Sequence, residues 1–331
     1  MTVPYHVVIT DLIDDDLAPE REALGDVARV AALCARSEAE LEGRIEQADA
    51  LIVYHEINLT QATIRRLEKC RIIVRGGVGY DNVDRAFARE RGIPVANTPD
   101  YGTEDVADSA IGMLLSLTRG IHLANSRLRE GKEEWTFMVS APLARLRGRT
   151  LGIVGLGRIG TAFAVRGKAL GMDAAFYDPY KPDGYDKALG VRRVETLREL
   201  LGQSLAVSLH CPLTEETYHM IDAEAIAAMP RGSYLVNTAR GGVLDLRAVP
   251  EALASGQLAG AAIDVLEQEP PSANDPLLAA WRDPCHPAYH RLILNPHLAW
   301  YCEEGRWEVR RKSAEACRRA LLGLPLRNIV N

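Results

Sequence analysis

The sequence has no run of apolar residues near the ~18 needed to cross a membrane. Its opening stretch, MTVPYHVVITDLIDDD, also lacks the cationic segment and apolar core of a secretion signal. A cytoplasmic protein without a membrane partner is expected. Closely spaced cysteine pairs are missing as well: Cys34, Cys70, Cys211, Cys285, Cys302 and Cys317 are scattered singly, with no CxxC spacing. That scatter suits reduced thiols rather than a disulfide framework. The stretch DPCHPAYH sets Cys285, His286 and His290 close together but offers no evident fourth ligand, and structural zinc closes a four-ligand site, so no metal is expected. An excess of basic residues is absent too. A net charge of −6 without a basic tail argues against nucleic acid as a partner. Neither low-complexity segments nor internal repeats stand out.

What is there is a 331-residue chain, 47% hydrophobic and 25% charged, long enough for two domains. HVVIT (6–10), ADALIVY (48–54), RIIVR (71–75) and IPVAN (93–97) read as strands, separated by polar segments of helix length such as LTQATIRRLEKC (59–70). Strand followed repeatedly by helix predicts an α/β fold, a parallel sheet covered on both faces. One long helix is predicted over 103–131, with Thr103 as its N-cap and acidic residues in its first turn. A second series runs through 149–160, 173–178, 205–211, 233–238, 260–265 and 292–296, six strands, the number in a complete dinucleotide-binding sheet. Residues 270–291 read as a loop insertion, and 303–326 as one amphipathic helix folding back on the first domain.

Gly155-Leu156-Gly157-Arg158-Ile159-Gly160 is GxGxxG, placed directly after the apolar run 151–154 and opening a helical pattern. In that context the first glycine permits the turn, the second admits a pyrophosphate, and the third lets helix and strand pack closely. Eighteen residues past Gly160, Asp178 closes the next strand, where a carboxylate would bond the ribose hydroxyls and repel a 2′-phosphate. NAD(H) is the expected cofactor.

Three later strand ends each deliver one polar residue: Arg240, Glu269 and His297. The carboxyl ends of strands in such a sheet face the ligand crevice, so these side chains can converge there. His297 can exchange a proton with a carbonyl oxygen near neutral pH, Glu269 can orient its ring, and the planar guanidinium of Arg240 can meet a carboxylate and the carbonyl. In RGGVGYDNVD (75–84), Gly76, Gly77 and Gly79 free the backbone to present consecutive N–H groups as an anion-binding nest.

Taken together, RGGVGYDNVD, GIVGLGRIG, YDPY (177–180), SLHCPLTEET (208–217), NTARGGVLD, DVLEQEP (264–270) and NPHLAW (295–300) resemble the D-isomer-specific 2-hydroxyacid dehydrogenases over nearly the whole chain. The resemblance implies a Rossmann NAD-binding domain (102–300) inserted into a flavodoxin-like substrate domain (1–101 and 301–331), a closing cleft between them, and a homodimer. It implies further cofactor-binding positions at Thr103, Arg158, Ile159, His210, Cys211, Pro212, Thr217, Thr238, Ala239 and Asp264, and substrate-binding positions at Arg75, Gly76, Gly77, Val78 and Gly79. Similarity to the C-terminal binding protein branch adds Trp300 as a wall of the substrate pocket, suited to an apolar or thioether side chain. The expected activity is interconversion of a 2-keto acid and its D-2-hydroxy acid. The competing expectation is an NAD(H)-sensing, corepressor-like interaction protein. Arg75, where phosphite dehydrogenases generally carry lysine, makes that activity a minor option. A phosphoglycerate dehydrogenase with a regulatory domain is not expected from a chain whose last residue is 331.

Overall fold

The computed structural model describes residues 5–331 apart from 132 and 141. The chain divides into two compact units, one built from residues up to 102 together with 301–331, the other from 103–300.

In the first unit β1 (Tyr5–Ile9), β2 (Ala28–Ala32), β3 (Ala50–Val53), β4 (Ile73–Arg75) and β5 (Val95–Asn97) form a parallel sheet of order β2-β1-β3-β4-β5. This is the doubly wound order of flavodoxin-like folds. Val7, Ile9 and Ile52 point into one apolar layer, while Val8, Leu51 and Val53 point into the other, so the central strands are buried on both faces. β2 was not anticipated, because an edge strand of sequence ARVAA carries no apolar run. The C-terminal helix Glu303–Leu321 returns to this unit as expected, although it stops five residues short of the predicted end. Its Val309, Ala314 and Cys317 join Val7, Ile9 and Leu24 in one core layer.

The second unit holds β6 (Thr150–Val154), β7 (Asp173–Tyr177), β8 (Arg192–Arg193), β9 (Ala206–Leu209), β10 (Ser233–Asn237), β11 (Leu258–Ile263) and β12 (Leu292–Leu294). All pair in parallel in the order β12-β11-β10-β9-β6-β7-β8. The chain leaves β6 to one side for β7 and β8 and then crosses to the other side for β9, which makes the carboxyl ends of β6 and β9 the switch point where such sheets bind ligands. Seven strands stand where six were expected, since two-residue β8 is too short to show a pattern.

Two expectations about helices are corrected. The segment 103–131 is two helices, Thr103–Thr118 and Ile121–Arg129, broken at Gly120, whose φ of +65° no continuing helix adopts. Thr103 is the first helical residue rather than a cap outside it. The segment 270–291 is not simply a loop: it contains helices Pro276–Arg282 and Ala288–Arg291. Asp275 caps the first by accepting from the Leu277 and Leu278 N–H groups, and burial of Leu277, Leu278 and Ala288 anchors the segment on the core. Among the described residues no helix is long and apolar enough to cross a membrane.

Candidate active site

The turn after β6 sets the nucleotide end of the site. Gly155 has φ +87°, and a Cβ on it would lie 2.8 Å from the Cys211 amide nitrogen, so the turns following β6 and β9 pack backbone to backbone. A Cβ on Gly160 would lie 2.1 Å from the Gly155 carbonyl oxygen, which is why this helix can seat so closely on its strand. At Gly157, by contrast, no atom lies within 4 Å of where a Cβ would be. Gly157 caps the helix Arg158–Ala169 without any side-chain bond. Room above the glycine and amides at a helix N-terminus are what a pyrophosphate requires, so these residues fit a dinucleotide.

Asp178 is half-buried and tied to that turn: Oδ2 accepts from the Leu156 N–H at 2.8 Å and Oδ1 from the Tyr180 N–H at 3.0 Å. Across β6, His210 pairs its Nε2 with Ser208 Oγ at 2.9 Å and packs on the Phe163 ring at 4.8 Å. Burial pushes this imidazole down to about 3, so it is neutral at physiological pH. Burial likewise pushes the Cys211 thiol up to about 12, leaving it protonated. Thr217 Oγ1 donates to the Pro212 carbonyl at 2.7 Å and shapes the turn that follows. After β10, the Thr238 hydroxyl is buried without a protein partner, and the Ala239 N–H is held by Asn237 Oδ1 at 3.0 Å. Arg158 is exposed and Ile159 half-buried.

The structure brings two of the three expected polar residues into direct contact. His297 Nδ1 lies 2.6 Å from Glu269 Oε2, and Glu269 Oε1 accepts from the Leu266 N–H at 2.7 Å, so the carboxylate is braced by its own loop while it holds the ring. Buried Asp264, at the end of β11, anchors the histidine loop: its carbonyl accepts from the His297 N–H, and its side chain accepts from the Leu298 and Ala299 N–H groups at 2.9–3.2 Å. Burial raises the Asp264 carboxyl, partly offset by those two amides. His297 itself has φ +54°, a left-handed conformation that costs a non-glycine residue energy and is maintained by this anchoring.

Arg240 follows β10, the neighbour of β11, is half-buried and donates Nη1 to the Ala239 carbonyl at 2.8 Å. A Cβ on the next residue, Gly241, would lie 2.0 Å from the Leu266 carbonyl carbon, so the arginine turn abuts the loop that carries Glu269. Trp300 is half-buried in the turn that ends this unit, where the Ala299 carbonyl accepts from Ser109 Oγ at 3.0 Å.

In the first unit the expected nest is corrected. Gly76 donates its N–H to the Val53 carbonyl, continuing the β4 ladder, and Gly77 donates to the Arg75 carbonyl two residues back in a tight turn, both at 2.9 Å. Buried Arg75 bonds the Gly76 carbonyl at 3.3 Å. Only the half-buried Val78 and Gly79 remain at the open side of this loop.

Cys285, His286 and His290 do not assemble as ligands: His286 Nδ1 accepts from the Ala288 N–H at 3.1 Å, and His290 Nδ1 pairs with Ser126 Oγ at 2.9 Å. The chain does collect a group that its sequence conceals, His219, Asp245 and Glu267, whose ligand-capable atoms lie within 4.8 Å of one another. Residues so widely spaced carry no motif. His219 Nε2 is engaged by Glu267 at 2.7 Å and Asp245 by Arg247 at 2.9 and 3.1 Å, so each member already has a side-chain partner.

A seven-stranded parallel sheet with a glycine turn after β6 and an acid closing the next strand defines a dinucleotide-binding domain. Residues 111–299 match the NAD-binding domain of D-isomer-specific 2-hydroxyacid dehydrogenases, and the chain belongs to that family. It is 37% identical over 325 residues to a D-3-phosphoglycerate dehydrogenase of Methanocaldococcus jannaschii, a match covering 98% of this chain but 59% of that protein. A glyoxylate reductase of Korarchaeum cryptofilum is 41% identical over 273 residues, covering 82% of this chain and 79% of that one. Among solved structures, the D-lactate dehydrogenase of Aquifex aeolicus complexed with NAD and lactic acid aligns with a TM-score of 0.85 at 29% identity, covering 96% of each chain.

Proposed function

We propose that the protein interconverts a 2-keto acid and the corresponding D-2-hydroxy acid with NAD(H), using His297, Glu269 and Arg240. The observation that carries this reading is the 2.6 Å contact between His297 Nδ1 and Glu269 at the carboxyl ends of β11 and β12, in the unit that matches the NAD-binding domain. A carboxylate on Nδ1 fixes the orientation of the ring, which makes Nε2 the nitrogen that gives a proton to the carbonyl oxygen or takes it from the hydroxyl. A nicotinamide bound to this domain supplies or accepts the hydride. Arg240 binds the substrate carboxylate and polarises its carbonyl through two directed hydrogen bonds. 3-Phosphoglycerate, glyoxylate and lactate, for which the three relatives are named, share a carboxylate beside an oxygenated carbon. That common feature supports the class of substrate. Trp300, whose indole offers a broad apolar face, is assigned to the side-chain pocket.

We also propose a homodimer. Trp135 and Phe137 are 91% and 82% exposed, and Met138 beside them in the sequence and Ile121 at the start of the preceding helix are exposed too, a set of apolar side chains that a second copy of the chain would cover.

NADH oxidation across a panel of 2-keto acids from glyoxylate to phenylpyruvate tests the activity. His297→Asn should lower kcat by about 10²–10⁴-fold with NADH affinity retained. Asparagine tolerates the left-handed backbone at this position, so the fold should survive. Glu269→Gln, which keeps an acceptor for the Leu266 N–H, should depress kcat less. Undiminished turnover in His297→Asn would exclude it as the proton donor.

A further inference from the structure

Tyr180 is 76% exposed, yet its side chain is not loose: its hydroxyl donates to Glu216 Oε2. The two residues follow strands on either side of β6. Tyr180 lies in the turn after β7, and Glu216 lies in the turn after β9. β7 and β9 are the two neighbours of β6, so a bond between the turns that follow them must cross the end of β6, where the Gly155–Gly160 turn begins.

Both ends of this crossing are built rather than incidental. The Tyr180 N–H is held by Asp178 Oδ1 at 3.0 Å, and Pro179 between them restricts the backbone. The same carboxylate holds the Leu156 N–H of the glycine turn. On the other side, Thr217 Oγ1 donates to the Pro212 carbonyl and the Thr214 N–H donates to Thr217 Oγ1 at 2.8 Å, which fixes the turn carrying Glu216. A phenol donating to a carboxylate is a charge-assisted bond, and the carboxylate raises the Tyr180 hydroxyl above its ordinary range, so the donor keeps its proton at neutral pH.

We propose that Tyr180 and Glu216 form a bridge over the adenosine end of the dinucleotide subsite, and that its opening sets how fast the cofactor leaves. The inference rests on the reading of Gly155–Gly160 and Asp178 as that subsite. A dinucleotide with its pyrophosphate on the glycine turn and its ribose on Asp178 lies where the bridge crosses, and must pass it on release. Tyr180 and Glu216 are therefore positioning residues for the cofactor, acting on its residence time rather than on the chemical step.

The test measures the NADH dissociation rate by stopped-flow displacement, and Kd by fluorescence, for the wild type, Tyr180→Phe, Glu216→Gln and the double variant. Tyr180→Phe keeps the ring and removes only the donor. Each single variant should release NADH about three- to tenfold faster, and the double variant no faster than either single, because the two residues act through one bond. Association should quicken by a similar factor, because the cofactor passes the same bridge on entry, so Kd changes less than either rate. Rates within twofold of wild type in both single variants, or effects that multiply in the double variant, would overturn the bridge while leaving the subsite intact. A wild-type protein that fails to bind NADH would overturn both. Both side chains are exposed, so unchanged melting temperatures will show that the variants remain folded.

Discussion

At the residue scale, the glycines of the turn after β6 separate folding from binding. A methyl group on Gly160 collides with the Gly155 carbonyl oxygen, whereas one on Gly157 meets nothing in the protein and suits a backbone φ of −72°. Gly160→Ala should therefore cost about 1–3 kcal/mol of stability, the range for overpacking, as read from urea unfolding. Gly157→Ala should lose no more than about 1 kcal/mol, the cost of alanine at a helix N-cap, but weaken NADH binding at least tenfold, because the added methyl occupies the place of the pyrophosphate. Equal NADH affinity in Gly157→Ala and wild type would show that the cofactor lies elsewhere. The residues at these positions were legible in the sequence because a turn motif is local. The left-handed His297 and the amide-anchored Asp264 were not, since the contacts that hold them form between separate strand ends.

At the element scale, helices Ala18–Leu24 and Glu303–Leu321 of the first unit are joined by a buried ion pair. Arg310 reaches Glu20 with two bonds of 2.7 Å and Asp15 with two of 2.7 and 2.8 Å. Burial works against the guanidinium charge, but the bonds to Glu20 and Asp15 outweigh it and hold Arg310 well above its ordinary range. Glu20 is fully buried, so Arg310→Met leaves a carboxylate without its partner and should cost about 3–5 kcal/mol. Adding Glu20→Met should recover much of that loss, because two apolar side chains then replace the pair. No recovery in the double variant would mean that the helices depend on the charges themselves. Sequence periodicity located both series of strands, yet it ran the helix 103–131 through Gly120 and missed β2 and β8. A single residue broke the helix, and an edge strand with one arginine in five residues looks like any polar segment.

At the scale of the whole molecule, the proposed dimer gives the remaining prediction. Sedimentation should report about twice the 36.3 kDa chain mass, and replacing Trp135 with Ser and Phe137 with Asp together should yield monomers. Both side chains are exposed, so the folded monomer should not suffer directly. A wild-type monomer at micromolar concentration would sink the proposal. The sequence by itself determined the two α/β units, the glycine turn with its acid, and the identity of the three polar strand ends, because apolar runs and short motifs are written in contiguous residues. The tertiary structure alone decided that His297 meets Glu269, that Tyr180 reaches Glu216 across β6, that Arg310 neutralises Glu20, and that the Gly76 and Gly77 amides are spent within their own sheet and turn. Each of these contacts depends on which strands and helices become neighbours, and that order is set by burying both faces of a twisted sheet rather than by any local pattern.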